Sequence, residues 1–366
     1  MDAVKARPVR ILIAGGGTGG HLFPGLAIAD AFLSRHPGAE IRFAGSSYGI
    51  EHRVVPARGF RLYRIPVRGL YGVSWRRRAW VLAMMPLALL MSAGILLTFR
   101  PHLVIGVGGY ASGPVLAMAV LLRRVTVLQE QNAYPGLTNR LLGRYVRLAF
   151  VPVEGLERFF PRPEVVGNPV RADILRLREE PPTARPEPMV LVFGGSQGAR
   201  RINEAMVGAL PLLGKVSGPV SILHQTGPAD LEWASAAYAA SSVPHQVVPF
   251  IEDMADAFRR CRLVVGRAGA STVNEIVTAR RASILIPIPG ASGEHQLKNA
   301  RRLEAAGAGV VLEQAELSGE TLGKQLVELL RDPARMDRME ANCDALFPGD
   351  AAAQIVEKCL TLIGCG

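Results

Sequence analysis

Short apolar runs bounded by glycine recur along the chain, each followed by a stretch with apolar residues at helical spacing. That alternation predicts strand–helix units stacked on parallel sheets, an α/β fold. Runs at residues 9–14, 41–44, 103–107 and 126–128 form one set, and runs at 189–193, 222–224, 263–265, 284–288 and 310–312 form a second. Two Rossmann-like doubly wound sheets facing a cleft accommodate both sets. Between them, Val166-Gly167-Asn168-Pro169 opens a stretch rich in Pro, Arg and Glu, which sets the domain boundary after Asn168. The last segment, 349–363, repeats apolar residues at helical spacing (Ala352, Ile355, Val356, Leu360, Ile363) and is expected to close back onto the first domain. The expected organisation is therefore 1–168 together with 347–366, and 169–346.

Residues 79–99 interrupt the alternation: they carry no charge, follow Arg76-Arg77-Arg78, and have Trp75 and Trp80 at their start. Length alone would allow a membrane crossing. A crossing, however, would put the strands at 9–14 and 103–107, members of one sheet, on opposite sides of a bilayer. The expectation is a helix that lies on or dips into one leaflet. Arg76, Arg77 and Arg78 would meet anionic headgroups, Trp75 and Trp80 the interface, and Leu89, Leu90 and Leu96 the lipid. A buried core helix is the alternative.

Of 366 residues, 49% are hydrophobic and 20% charged, which excludes a disordered chain. The 42 Lys and Arg outweigh 31 Asp and Glu, giving a formal net charge of +11, so anionic partners are expected: phosphates, nucleic acid or an acidic membrane. Nucleic acid fits least, because basic residues are not interleaved with aromatic stacking positions outside 75–80. Cys261, Cys343, Cys359 and Cys365 have no metal-ligand spacing, so neither structural zinc nor a disulfide framework is expected. The polar, basic start has no apolar leader core, and a cytoplasmic chain is expected.

The chemistry concentrates in glycine-rich turns. Gly15-Gly16-Gly17-Thr18-Gly19-Gly20-His21 follows a strand and opens a helix. Glycine lets the backbone approach a ligand, and the helix start presents N–H groups and a positive dipole to an anion. The G-x-G-x-x-G spacing also fits a dinucleotide site, but the second strand ends Ala44-Gly45-Ser46-Ser47, with no acidic residue for a ribose, which argues against a dehydrogenase. Gly106-Val107-Gly108-Gly109-Tyr110-Ala111-Ser112-Gly113 and Gly194-Gly195-Ser196-Gln197-Gly198-Ala199 are further strand-to-helix turns. The latter also reads as the G-x-S-x-G elbow of a hydrolase, with Ser196, Asp253 and His295 in order, but that leaves the first two turns without a purpose. In Gly269-Ala270-Ser271-Thr272-Val273-Asn274-Glu275, Thr272 and Glu275 have the spacing of a capping box. The other reading makes Glu275 the acceptor of ribose hydroxyls beside a phosphate-binding helix start. Spacing alone leaves both open.

With these turns in this order, together with Glu130-Gln131-Asn132 and Val166-Gly167-Asn168-Pro169-Val170-Arg171, the chain resembles the MurG family over essentially its whole length. These are GT-B-fold glycosyltransferases that add N-acetylglucosamine to lipid I, undecaprenyl-pyrophosphoryl-MurNAc-pentapeptide, making lipid II for peptidoglycan. The resemblance implies that the second domain holds UDP-N-acetylglucosamine (UDP-GlcNAc) and the first holds lipid I, at the cytoplasmic face of the plasma membrane. No cofactor is expected and, with no D-x-D pair in the chain, no essential metal. By position the resemblance places Ile251 at uracil, Glu275 at ribose, Ser196 and Ala270, Ser271, Thr272 and Val273 at the diphosphate, and Gln296 at the sugar hydroxyls. Thr18, Gly19, Gly20, Asn132 and Arg171 also fall on donor-site positions. The family often has His before Glu-Gln-Asn; Gln129 stands there in this chain, and no acid–base role is assigned to it.

The implied reaction is attack of the acceptor C4 hydroxyl on the anomeric carbon, with inversion and loss of UDP. His21, at a helix start whose dipole disfavours the imidazolium, is the expected base. Its bland alternative is a histidine that only hydrogen-bonds the glycine turn. Glu130 is the reserve base or an orienting group, and Tyr110 a positioning residue. No D-x-D pair is present, so the charge of the leaving diphosphate is expected to fall to backbone amides, helix dipoles and Arg171. A sugar-nucleotide-binding protein without turnover would share the turns but have no need of His21.

Overall fold

The computed structural model describes residues 8–69, 74–180, 189–195, 197–216, 218, 220–290 and 294–365, except the side chains of Arg77, Arg78 and Leu82. The chain divides into two compact units, Met1–Ala172 with Pro348–Gly366, and Asp173–Phe347.

The first unit holds strands β1 (Arg10–Ala14), β2 (Glu40–Ser46), β3 (Arg61–Ile65), β4 (Leu103–Gly106), β5 (Val125–Gln129), β6 (Leu148–Val151) and β7 (Pro163–Val165). Between them run helices α1 (Gly19–Arg35), α2 (Glu51–Ala57), α3 (Trp75–Phe99), α4 (Ser112–Leu121) and α5 (Leu137–Leu142), and α6 (Ala172–Leu175) lies at the division. The seven strands form one parallel sheet in the order β3-β2-β1-β4-β5-β6-β7. The second unit holds β8 (Met189–Phe193), β9 (Ser221–Gln225), β10 (His245–Val248), β11 (Cys261–Gly266), β12 (Ala282–Leu285) and β13 (Gly309–Val311). Its helices are α7 (Arg200–Leu213), α8 (Leu231–Ala239), α9 (Met254–Arg260), α10 (Ala270–Ala279), α11 (His295–Ala305), α12 (Gly319–Leu330) and α13 (Pro333–Asn342). Its six strands are also parallel, in the order β10-β9-β8-β11-β12-β13. In each sheet the strand order reverses beside the first strand, between β1 and β4 and between β8 and β11. Outside the carboxyl ends of such strands an open α/β sheet forms its ligand crevice.

The central strands β1, β4, β8 and β11 are mostly apolar because helices cover both faces. Along β1, Ile11 and Ile13 point into one core with Leu22, Leu26, Ile28 and Phe32 of α1, while Leu12 and Ala14 point into another with Leu96, Phe99, Val115 and Leu116. The final helix, α14 (Ala351–Leu362), packs on α1 and adds Ala351, Ile355, Val356, Cys359 and Leu360 to the first of these cores.

Helix α3 is covered along one face only. Ala88, Ser92, Ile95, Leu96 and Phe99 are buried, whereas Leu87, Leu90, Met91 and Leu97 face outward. Leu96, expected at lipid, is therefore a core residue: it lies at the end of the helix that rests on the sheet, and it is fully buried. Leu89 is half-buried and Leu90 is 71% exposed.

Candidate functional site

Two glycine turns of the first unit follow β1 and β4, at the reversal of strand order. They press on each other so closely that a Cβ on Gly109 would come within 2.3 Å of the Gly16 carbonyl oxygen. Gly17 and Gly109 also hold φ of 90° and 78°, which glycine adopts without strain. Helix α1 starts at Gly19, with Thr18 as an extended N-cap, and its ladder begins with Leu22 N–H donating to the Thr18 carbonyl at 3.1 Å. Thr18, Gly19 and Gly20 thus form the positive end of the helix dipole. His21 sits half-buried in the first helical turn, its Nδ1 2.8 Å from Gln131 Oε1. Its ring lies over the second turn, where a Cβ on Gly108 would meet Nδ1 at 2.9 Å. Tyr110 lays its ring on Gly17, and its hydroxyl is 3.4 Å from Ser46 Oγ.

Two carboxylates shape this region, and one of them was not singled out from sequence. Glu51, the first residue of α2, is fully buried and accepts the N–H groups of Gly17 and Ser46, each at 2.8 Å. One amide of the turn expected to face an anion is therefore already bound to a carboxylate. Its trace in the sequence is Gly45 and Gly49, where a Cβ would strike the Glu51 side chain at 2.7 and 2.0 Å. Glu130 is buried as well. Its Oε1 accepts from Gln131 N–H (2.9 Å), Asn132 N–H (2.9 Å) and Asn132 Nδ2 (3.2 Å), and its Oε2 from Gly136 N–H (3.1 Å) and Asn139 Nδ2 (2.8 Å). A carboxylate so saturated has its acceptor sites filled from within the protein. Its geometry fits a group that holds residues 130–139 and fixes Asn132, rather than the reserve base. Residues 169–172 belong to the first unit, past the boundary expected from sequence, and Arg171 rests its guanidinium 5.5 Å from the Phe23 ring centroid of α1.

In the second unit the turns after β8 and β11 occupy the matching reversal. Gln225 ties the first of them down, donating from Nε2 to the Gly195 carbonyl at 2.9 Å and accepting Ile251 N–H at 2.8 Å. The Ile251 amide is thus engaged within the unit. Ser196 lies outside the described residues. Helix α10 begins at Ala270 with Gly269 as N-cap, and its ladder opens with Val273 N–H donating to the Gly269 carbonyl at 2.9 Å. Two expectations change accordingly. Thr272 is inside the helix, so no capping box forms with Glu275. Val273 spends its amide in the helix, which leaves the diphosphate expectation to the start of α10 at Ala270, Ser271 and Thr272. Glu275 follows one turn later, half-buried. Gln296 accepts Ile288 N–H at 3.1 Å, and Asn299 Nδ2 donates to the Ala268 carbonyl at 3.1 Å. Among the described residues no three His, Cys, Asp or Glu converge as metal ligands.

The glycosyltransferase family 28 N-terminal domain matches residues 11–151, and the family 28 C-terminal domain matches 189–355. The chain is 43% identical to the UDP-N-acetylglucosamine–N-acetylmuramyl-(pentapeptide) pyrophosphoryl-undecaprenol N-acetylglucosamine transferase of Anaeromyxobacter sp. (strain K), over 97% of this chain and 93% of that one. It is 44% identical to the enzyme of the same description from Myxococcus xanthus, with the same coverage. Acinetobacter baumannii MurG, a crystal structure, superposes with a TM-score of 0.75 at 29% identity, covering 96% of this chain and 99% of its own. The chain belongs to the MurG family.

A MurG-family glycosyltransferase has no use for a hydrolase triad, and the side chains agree: Asp253 is an exposed helix cap accepting Asp256 N–H at 2.9 Å, not a buried partner for a histidine. Nor does the dinucleotide reading survive, since β2 ends in Ser46, whose Oγ accepts Gly49 N–H at 2.9 Å. On α3, Trp75 is 74% exposed with the Arg76 guanidinium 5.6 Å from its ring, and the Arg68 guanidinium lies 5.7 Å from the ring of the partly exposed Trp80. The side chains of Arg77 and Arg78 lie outside the described residues.

Proposed function

We propose that this chain moves N-acetylglucosamine from UDP-GlcNAc to the C4 hydroxyl of lipid I, inverting the anomeric carbon, as a peripheral protein on the cytoplasmic face of the bacterial plasma membrane. The observation that carries the reading is His21, held at the start of α1 between two glycine turns by a hydrogen bond to one ring nitrogen. In that position it removes the acceptor's hydroxyl proton as the sugar transfers. Tyr110 and Asn132 line the same region. Arg171 and the positive end of α1 add the charge that favours phosphorylated ligands.

On the second unit, the start of α10 takes the diphosphate through amides and dipole, and Glu275 takes the ribose hydroxyls. Gln296, with its oxygen anchored on Ile288 N–H, turns its amide to the sugar. The outward face of α3, with Trp75 and Arg76 at its start and Leu87, Leu90 and Leu97 further along, rests on anionic lipid, aided by the net charge of +11.

The test is incubation of the full chain with labelled UDP-GlcNAc and a lipid I analogue. A labelled disaccharide lipid is expected, and its absence would refute the reaction. His21→Ala should lower kcat by about 10²-fold or more while leaving KM for UDP-GlcNAc nearly unchanged. An unaltered kcat would remove His21 as base.

A further inference from the structure

We infer that Gln131 is the positioning residue that fixes the tautomer of His21, through a chain of buried carboxamides anchored on backbone carbonyls. The inference rests on the reading of His21 as base and names the part of the protein that readies it.

The direction of each bond is forced. Gln131, 3% exposed, donates from Nε2 to the Val107 carbonyl at 2.8 Å, and the same nitrogen faces the side-chain oxygen of Gln129. Both partners are acceptors, so the Gln131 amide must turn its nitrogen to them and its oxygen to His21. Gln129, fully buried, is fixed in the same way: its Nε2 donates to the Glu130 carbonyl and to Asn168 Oδ1, each at 3.0 Å. Asn168 closes the path, donating from Nδ2 to the Gln131 carbonyl at 2.9 Å. Flipping any one of these amides would set acceptor against acceptor inside the protein.

With an amide oxygen 2.8 Å away, His21 Nδ1 must carry the hydrogen. In the neutral ring the lone pair then sits on Nε2, which becomes the one nitrogen able to take the acceptor's proton. Without Gln131 both tautomers are open to the ring, and part of the population has its lone pair on the wrong nitrogen. The orienting chain is also uncharged at every link. It positions the imidazole without the electrostatic pull that a carboxylate partner would exert.

The experiment is two-bond 1H–15N correlation on full-length protein labelled with 15N-histidine, at a pH where the ring is neutral, with His21 assigned by its loss in His21→Ala. Wild type should show the Nδ1–H pattern, and an Nε2–H ring would overturn the proposal with no variant needed. Gln131→Leu should give a mixed tautomer and lower kcat by about 10- to 100-fold, with KM for UDP-GlcNAc within about twofold. In a His21→Ala background the same substitution should cost no further turnover, whereas an additive loss would mean that Gln131 acts merely on structure and overturn the inference. If His21→Ala itself keeps full turnover while wild type shows Nδ1–H, the base reading falls and the tautomer assignment stands.

Discussion

His224, near the end of β9, is locked inside the second unit, with Nδ1 2.9 Å from the Tyr238 hydroxyl and Nε2 3.1 Å from Asn203 Oδ1. Asn203 donates from Nδ2 to the Thr226 carbonyl (2.9 Å) and to Asp230 Oδ2 (2.7 Å), so its oxygen must face the ring. Nε2 then carries the hydrogen, and Nδ1 accepts from the tyrosine. Burial drives the imidazole down to about 3, against a smaller opposing pull from Asp230. Since the folded value lies below the ordinary 6.5, the unfolded chain binds more protons between these two pH values. Stability present at neutral pH is lost as pH falls through that window, with a slope of up to about 1.4 kcal/mol per pH unit. Asp230 acts in the same direction lower down. Burial would raise it, but hydrogen bonds from Trp233, Arg200 and Asn203 hold it below its ordinary 3.8. His224→Gln keeps a hydrogen-bonding side chain that does not titrate. Urea unfolding should therefore show a flatter pH dependence for this variant between about pH 6.5 and 4.5. A slope equal to that of wild type would place the titration on another group.

At the scale of the element, α3 separates a buried face from an exposed one, which its composition cannot. Leu96→Glu puts a carboxylate into the core beside Leu12 and Val104 and should cost about 3–5 kcal/mol, seen as a large drop in melting temperature. Leu90→Glu changes a side chain that is 71% exposed and should leave the melt nearly unmoved while releasing the protein from anionic vesicles in a sedimentation assay. Full retention of vesicle binding by Leu90→Glu would assign the outward face some other task. The existence and length of α3 were legible because residues 79–99 carry no charge. Its faces were not, because Leu89, Leu90 and Leu96 are one residue type and their burial depends on which strands lie beneath. The same limit governed the strands. β1, β4, β8 and β11 read clearly because they are buried on both sides, and the apolar edge strand β13 read as well; the edge strands β3, β7 and β10 carry Arg61, Arg64, Glu164, His245 and Gln246 and look like loops, and the four-residue internal strand β6 is too short to stand out. At the site, glycine turns announce themselves, since backbone geometry demands glycine. The links from Glu51 to Gly17 and from Gln131 to His21 do not, because these partners lie 34 and 110 positions apart and are brought near by sheet order.

For the molecule as a whole, the two units differ in how the chain builds them. The second is one continuous segment with its own sheet and core, whereas the first is completed only when the chain returns after Phe347. Ile355, Val356 and Leu360 of α14 are buried in a core shared with Leu22, Leu26 and Phe32 of α1. At about 1.5–3 kcal/mol for each large apolar side chain, these three alone contribute about 5–9 kcal/mol. That is comparable to the entire stability of a typical domain. Deleting residues 348–366 should therefore unfold the first unit and leave the second unit's own core intact. Hydrogen exchange followed by mass spectrometry can separate the two, because each sheet reports on its own amides. Protection should collapse across β1, β2 and β4 and persist across β8, β9 and β11. If protection in the first sheet survived the deletion, α14 would be an accessory to that core; if both sheets lost protection together, the second unit's own core would be too weak to stand alone.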